Sequence, residues 1–337
     1  MRLGLLLGFE PTLADVVALA RQGEAAGFDS MYTVEAGRTA FVGAAAVINA
    51  TSRVRVGTYI VNAYAHDPWV TAVGARDLDE LSGGRFTLGI GTGNKHMNEW
   101  YMGVDSSKPW AKMRDYLSIV RAVVAARAGE PVRYQGDVHR IRWRATYDPV
   151  RPSLPVYLSA SGPKMVRLAG EVSDGVGVGI MTSTRLLSEI VRPAARAGAE
   201  AAGRDPEALA FPIGALVSVN ADEELARQAT RAKIVGLYHP VPHPYYDSQL
   251  RQLGFTEFAD AATALMPAGR TREAMDLVPD EVIDTMTITG TPARCAARIL
   301  DYEGLADEII VLRVEQRGEP AGLAAFDDLF SLASRVG

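Results

Sequence analysis

Only one cysteine, Cys295, occurs in the 337 residues of this chain. That scarcity excludes an internal disulfide and any cysteine-rich metal site, suits a reducing compartment, and leaves a small buried hydrophobe as the expected role of the thiol. A basic surplus is missing too, since 35 Lys and Arg stand against 40 Asp and Glu for a net charge of -5. Such a balance offers nothing with which to neutralise a phosphate backbone or an anionic membrane, so neither partner is expected. Long apolar runs are also lacking. The opening MRLGLLLGFEP is too short for a signal h-region and is interrupted by Glu10 and Pro11, and no later window approaches a membrane span. The expectation is a cytoplasmic protein.

What is present is the material of a globular chain, 48% hydrophobic and 22% charged, long enough for a sizeable core. Apolar runs alternate regularly with amphipathic segments. LGLLLG, from Leu3 to Gly8, is continuous and apolar, as a strand buried on both faces requires. The helix after it can be capped by Thr12 or Asp15 and stopped by Gly27. SMYTV, VRVGTYIV and RFTLGIG continue the strands, with a helix opening at Pro68 before the last of them. Met113, Leu117, Val120 and Val124 mark a helix from about Trp110 to Ala126, and YQGDVHRIRWR reads as a hairpin excursion. LPVYLSA, DGVGVGI and FPIGALVSV follow with their helices, one of them expected over 185–203. Residues 222–308 read as mostly helical, with an irregular insert near 236–258, before DEIIVLRV supplies an eighth strand. Eight strands interleaved with helices predict an α/β fold, a (β/α)₈ TIM barrel, as a single domain over 1–337 with insertions near 127–152 and 236–290.

Chemistry in such a barrel gathers at the carboxyl ends of the strands. There the sequence puts Glu35, the Asn62–His66 stretch, GIGTGN and SASGPK. GIGTGN is not a dinucleotide fingerprint: counted from Gly89 the sixth place is Asn94, and from Gly91 it is His96, where glycine is required. Two readings stay open. The glycines fit a crowded strand exit, or Gly91 and Gly93 let backbone amides lie against a planar ligand while Asn94 and Asn98 bond its edge. SASGPK ends on Pro163, suited to a first helical position, so the amides before it form an anion cup to which Lys164 adds a cation. His239 and His243 have helical spacing, but the PVP between them and Pro244 after them break the helix that would align them, and no metal site is expected. His66 and His96 lie near the predicted mouth, where a surface or structurally satisfied role is favoured over donation to a substrate.

The succession GFDSMYTVE, VRVGTYIVN, DELSGGRFTLGIGTGNKHMNE, YQGDV and LPVYLSASGPKMVRLAGEVSDGV resembles the bacterial-luciferase-like superfamily of flavin and deazaflavin oxidoreductases. Within it, the chain is most similar to the branch that uses coenzyme F-420 and includes methylenetetrahydromethanopterin reductase. The resemblance spans roughly Met1 to Ile180 and is weaker in the last hundred residues. It implies a luciferase-like barrel, usually a homodimer, with an 8-hydroxy-5-deazaflavin at the carboxyl ends of the strands. By motif matching, Gly91, Thr92, Gly93, Asn94 and Asn98 would contact the head group. Ser159, Ala160, Ser161, Gly162, Pro163 and Lys164 would line its anionic extension. A non-proline cis peptide on strand three, here Tyr59–Ile60, would back the ring beside Asn62.

Departures from the pattern bear on substrate. The Asp-His pair that many relatives carry after strand two reads Glu35–Ala36, which disfavours a glucose-6-phosphate-type oxidation. An acidic residue that the methanopterin reductases carry in the first strand is Leu6, so a pterin substrate depends on compensation by Glu10. Glu35 is the candidate acidic group beside the ring, with a cap or a salt bridge to Arg38 as its alternative. The expected function is F-420-dependent hydride transfer to or from a small organic substrate, needing no metal. An FMN-dependent monooxygenase and a non-catalytic coenzyme-binding protein are the alternatives.

Overall fold

In the computed structural model, which describes residues 1–316, 318 and 322–336, twelve strands carry the alternation. They are β1 (Arg2–Leu7), β2 (Ser30–Thr33), β3 (Arg55–Thr58), β4 (Val61–Asn62), β5 (Phe86–Gly91), β6 (Pro131–Gln135), β7 (Arg140–Arg144), β8 (Val156–Ser159), β9 (Gly175–Gly177), β10 (Pro212–Val219), β11 (Ile288–Gly290) and β12 (Glu308–Arg313). The chain divides into two compact units, residues 3–178 with 191–212, and residues 1–2, 179–190 and 213–337.

The first unit is built on a parallel sheet ordered β1-β2-β3-β5-β8-β9, with β4 beside β5. All residues of β2 and β5 are buried, as strands covered on both faces must be. Local chemistry starts and stops the helices between them. Thr12 accepts from the Asp15 amide while Asp15 accepts from the Thr12 amide, a reciprocal box opening the helix Leu13–Ala26, and Gly27 closes it at φ 97°. Asp67 caps the helix Pro68–Leu81, whose first residue needs no amide hydrogen. In the turn after it, the Arg85 guanidinium donates to the carbonyls of Ile48, Thr51 and Val54, fixing where β5 begins. The excursion of residues 131–144 is an antiparallel hairpin, β6 with β7. Asp115 ties it down by accepting from the Tyr134 hydroxyl at 2.8 Å and the Val138 and His139 amides at 2.6 and 3.0 Å.

The run expected as one third strand is two. β3 ends at Thr58, β4 resumes at Val61, and the Tyr59–Ile60 peptide between them is cis, at the position expected. β5 lies close here, because a Cβ on Gly89 would stand 2.1 Å from the Thr58 carbonyl oxygen. The Thr58 hydroxyl closes the contact by donating to the Gly89 carbonyl at 2.8 Å and accepting from its amide at 3.0 Å.

In the second unit β10, buried throughout, is flanked by β11 and β12. Residues 222–308, expected as mostly helical, also contain β11, paired in parallel with β10 through Val217, Ser218 and Val219. The helix expected over 185–203 is interrupted: a single turn at Thr184–Leu186 and a π-turn at Leu187–Val191 precede the helix Arg192–Ala201. Pro193 has no amide hydrogen to return to the preceding turn, which forces the wider spacing. His239 and His243 lie outside a common helix, since the next one starts at Pro244. Within this insert Gln249 Nε2 donates to the Tyr245 hydroxyl at 2.8 Å, and the Tyr238 hydroxyl donates to Asp247. Among the described residues no helix is long and apolar enough to cross a membrane.

Candidate active site

The ends of β2, β4, β5 and β8, all in the first unit, bring the sequence-predicted residues together. Glu35 lies two residues beyond β2. Its amide donates to the Ile60 carbonyl at 3.3 Å, and one carboxylate oxygen accepts from the Asn62 amide at 2.7 Å. The other carboxylate oxygen meets His66 Nε2 at 2.6 Å. Arg38 does not take up the salt bridge offered as the alternative, because its guanidinium donates to the carbonyls of Glu10 and Pro11 instead. Glu10 turns back on its own strand exit, accepting from the Gly8 amide at 2.6 Å.

His66, placed near the mouth by the sequence with a surface or structurally satisfied role favoured, is satisfied by Glu35, a partner the sequence did not offer. It stands 31 residues from Glu35, a separation with no periodic signature, and only its place after strand three hinted at the mouth. Its side chain is 22% exposed and that of Glu35 11%. The hydrogen bond to Glu35, reinforced by the carboxylate charge, raises the imidazole pKa above its ordinary value against the opposing effect of burial.

Asn62 and Asn98 form a clasp under the β5 exit. Asn62 Nδ2 donates to Asn98 Oδ1 at 2.8 Å, Asn62 Oδ1 accepts from the Tyr64 amide at 3.0 Å, and Asn98 Nδ2 donates to the Thr92 carbonyl at 2.8 Å. Both are buried, 5% and 1% exposed, and these bonds hold the loop's backbone. The glycines of GTGN answer to the same neighbours. A Cβ on Gly93, whose φ is 62°, would stand 2.4 Å from Asn62 Nδ2, and one on Gly91 would touch Ile60 at 3.1 Å and Ser159 at 3.4 Å. Internal packing is therefore sufficient reason for both glycines. Asn94 accepts from the His96 amide at 2.8 Å, starting the turn that leads to the π-helical residues Met97–Tyr101. His96 sits against the rings of Trp100 and Tyr101, themselves 77% and 74% exposed.

Tyr59 points into the core, its hydroxyl donating to the carbonyls of Val178 and Pro212 and its ring edge-on to Tyr32 with centroids 5.9 Å apart. Ser159 ends β8, and the Ala160 amide donates to the Gly177 carbonyl at 2.9 Å. Ser161, Gly162, Pro163 and Lys164 are exposed at the start of the helix Pro163–Val172. Gly162 caps that helix in an extended conformation with no side-chain bond to its amides, and a Cβ there would meet nothing within 4 Å. No side chain caps the amides at this helix start, where Met165 and Val166 donate theirs to the Gly162 carbonyl at 3.0 Å.

Known proteins resemble this chain along most of its length. A family model described as luciferase-like monooxygenase matches residues 1–308. A protein of Mycobacterium tuberculosis, named as a candidate coenzyme F-420-dependent oxidoreductase, is 31% identical over 96% of this chain and 98% of its own. The solved F-420-dependent tetrahydromethanopterin reductase of Methanopyrus kandleri superposes with a TM-score of 0.82 at 23% identity, covering 99% of this chain and 98% of that one. An F-420-dependent secondary alcohol dehydrogenase, solved with an F-420-acetone adduct, gives 0.77 at 20% identity over 100% and 99%. Likeness at these identities shows the fold, which is the (β/α)₈ barrel of the luciferase-like class.

Proposed function

Because the chain belongs to the luciferase-like monooxygenase family, and so is an enzyme, we propose that it is a coenzyme F-420-dependent oxidoreductase acting on a small organic substrate. The observation that carries this reading is the convergence, at one end of the first unit's sheet, of the Tyr59–Ile60 bulge, the clasped Gly91–Asn94 loop and the open Gly162 cup. The M. tuberculosis relative's name, matched nearly end to end, supports the same coenzyme.

The residues fit the group. Open space beside Gly162 and uncapped amides ahead of a helix suit an anionic extension, because the N-terminal backbone presents donors and the positive end of the dipole. Lys164 adds a mobile cation whose contribution is small and salt-sensitive at an exposed site. Ile60, half-buried over Gly91, offers an apolar backing beside the strand exit. When bound, the deazaflavin supplies two-electron hydride chemistry. The clasp from Asn62 to Asn98 keeps the loop in one conformation, so the reacting partners are oriented at little cost when they meet. Glu35 adds fixed negative charge at the bulge.

A homodimer and a cytoplasmic location belong to this reading. The exposed Val42, Trp69 and Val70 near two helix starts support the first, and the single buried cysteine suits the second. The family description favours a second reading, an FMN-dependent monooxygenase. Titrating the purified protein with oxidised F-420 and with FMN, followed by coenzyme fluorescence, separates the two. Micromolar or tighter binding of F-420 with little FMN binding is expected. Preference for FMN would transfer the assignment to the monooxygenase, and binding of neither would overturn both.

A further inference from the structure

We infer that His66 is the proton-transferring catalytic residue of this enzyme, that Glu35 is its positioning residue, and that the substrate is a carbonyl compound or the corresponding alcohol. The inference rests on the F-420 reading and goes beyond it by naming the group that handles the proton.

The argument begins with the hydrogen bond. A carboxylate can only accept, so at 2.6 Å from Glu35 Oε1 the His66 Nε2 must carry the hydrogen. That fixes the tautomer and leaves the change of protonation to Nδ1. Glu35 is fixed in turn, because its second oxygen accepts from the Asn62 amide and its own amide donates to the Ile60 carbonyl. The imidazole is thus tied through one carboxylate to the two residues that flank Val61 in the bulge. This satisfies the demand for a base held by a third group.

The other neighbours do not compete for the ring. Phe41 lies beside it, centroids 6.0 Å apart. Asp67, next in the chain, spends a carboxylate oxygen on the Trp69 amide, and Arg38 is turned to the carbonyls of Glu10 and Pro11. Glu35 is the charge that acts on His66.

The balance is simple. In reduction, the bound deazaflavin would supply a hydride, and a C–H bond would form at the carbonyl carbon as the C=O π bond breaks. The electron pair goes to oxygen, which takes the proton from Nδ1 of the imidazolium. The carbonyl is reduced and the deazaflavin oxidised. Alcohol oxidation runs the same exchange backwards, with neutral His66 accepting the hydroxyl proton.

Three measurements test this. Imidazole NMR of the coenzyme-free protein, assigned with His66→Gln, is expected to show the His66 pKa raised from its ordinary value by the Glu35 bond and falling when Glu35 is replaced by Gln. Reduced F-420 oxidation is then followed with acetone, cyclohexanone and benzaldehyde. His66→Gln is expected to bind F-420 with unchanged Kd and to lose about 10²–10⁴-fold in kcat, with KM changed far less. Glu35→Gln is expected to retain more activity and to shift the fall of the reduction rate to lower pH, because the acid form is then lost earlier. A His66 titration indifferent to Glu35→Gln, a His66→Gln enzyme at the wild-type rate, or F-420 binding without turnover of any carbonyl would each overturn the proposal. Failure of the wild-type protein to bind F-420 would overturn the coenzyme reading instead, and the NMR result would still decide the pair.

Discussion

Replacing Gly93 by alanine puts a methyl group where the clasp already sits. The backbone there has φ 62°, and the new Cβ would stand 2.4 Å from Asn62 Nδ2. Left-handed backbone costs a non-glycine residue about 1–2 kcal/mol. Moving Asn62 aside breaks its 2.8 Å bond to Asn98, and leaving buried amide groups unpaired costs about 1–3 kcal/mol. The expected loss is about 2–5 kcal/mol. With an unfolding entropy near 2 cal/mol/K per residue over 337 residues, that lowers Tm by roughly 3–7 °C, and by more if the first unit unfolds alone. Differential scanning calorimetry reads the shift. Gly162→Ala is the control, since its φ is -87° and the added methyl meets open space; it should cost less than about 1 kcal/mol. In an Asn62→Ala background the penalty of Gly93→Ala should shrink to its backbone part. An undiminished penalty there, or a Gly93→Ala protein that melts with the wild type, would refute the clasp as the reason for the glycine.

Two further outcomes follow from the titratable groups. The folded pKa of His66 is raised, so the stability it contributes is fully present below the unfolded histidine value of about 6.5 and is lost as pH rises through the folded value. The difference in urea stability between the wild type and Glu35→Gln should therefore narrow with rising pH, and a gap that widens would contradict the pairing. Cys295 is buried, its Sγ against the carbonyls of Ser218 and Gly290, and burial pushes its thiol up to about 12. Ellman's reagent should leave the native protein unmodified at about pH 8 and label it as the second unit unfolds, because the thiolate is the reactive form; rapid native labelling would disprove the burial.

Elements with their own chemical punctuation were legible in the sequence. Thr12 with Asp15, Gly27 and Pro68 mark helix ends through bonds that reach only a few residues, and the structure has them where expected. The Tyr59–Ile60 bond was legible only through family resemblance. β11 was missed because three residues, Ile288–Gly290, are too few to display an alternation. The helix expected over 185–203 was read through Pro193, which breaks the hydrogen-bond ladder without breaking the apolar spacing. For Glu35 the sequence offered Arg38, three residues on, as a partner, whereas the structure pairs it with His66. Local text cannot rank partners brought together by different strands.

The Asn62, Gly93 and Asn98 triplet carries a consequence for how such a chain can drift. These positions come from two strand exits and a π-turn, yet a Cβ at 93 and the amide at 62 claim the same space, while 62 and 98 complete each other's bonds. None of the three can change freely. A smaller residue at 62 would release 93 from steric exclusion and leave Asn98 seeking another partner, so substitutions should be inherited in concert. The Gly91–Asn94 loop behaves in heredity as one character spelled by three separated letters, and transplanting it into another barrel would require carrying the two asparagines with it.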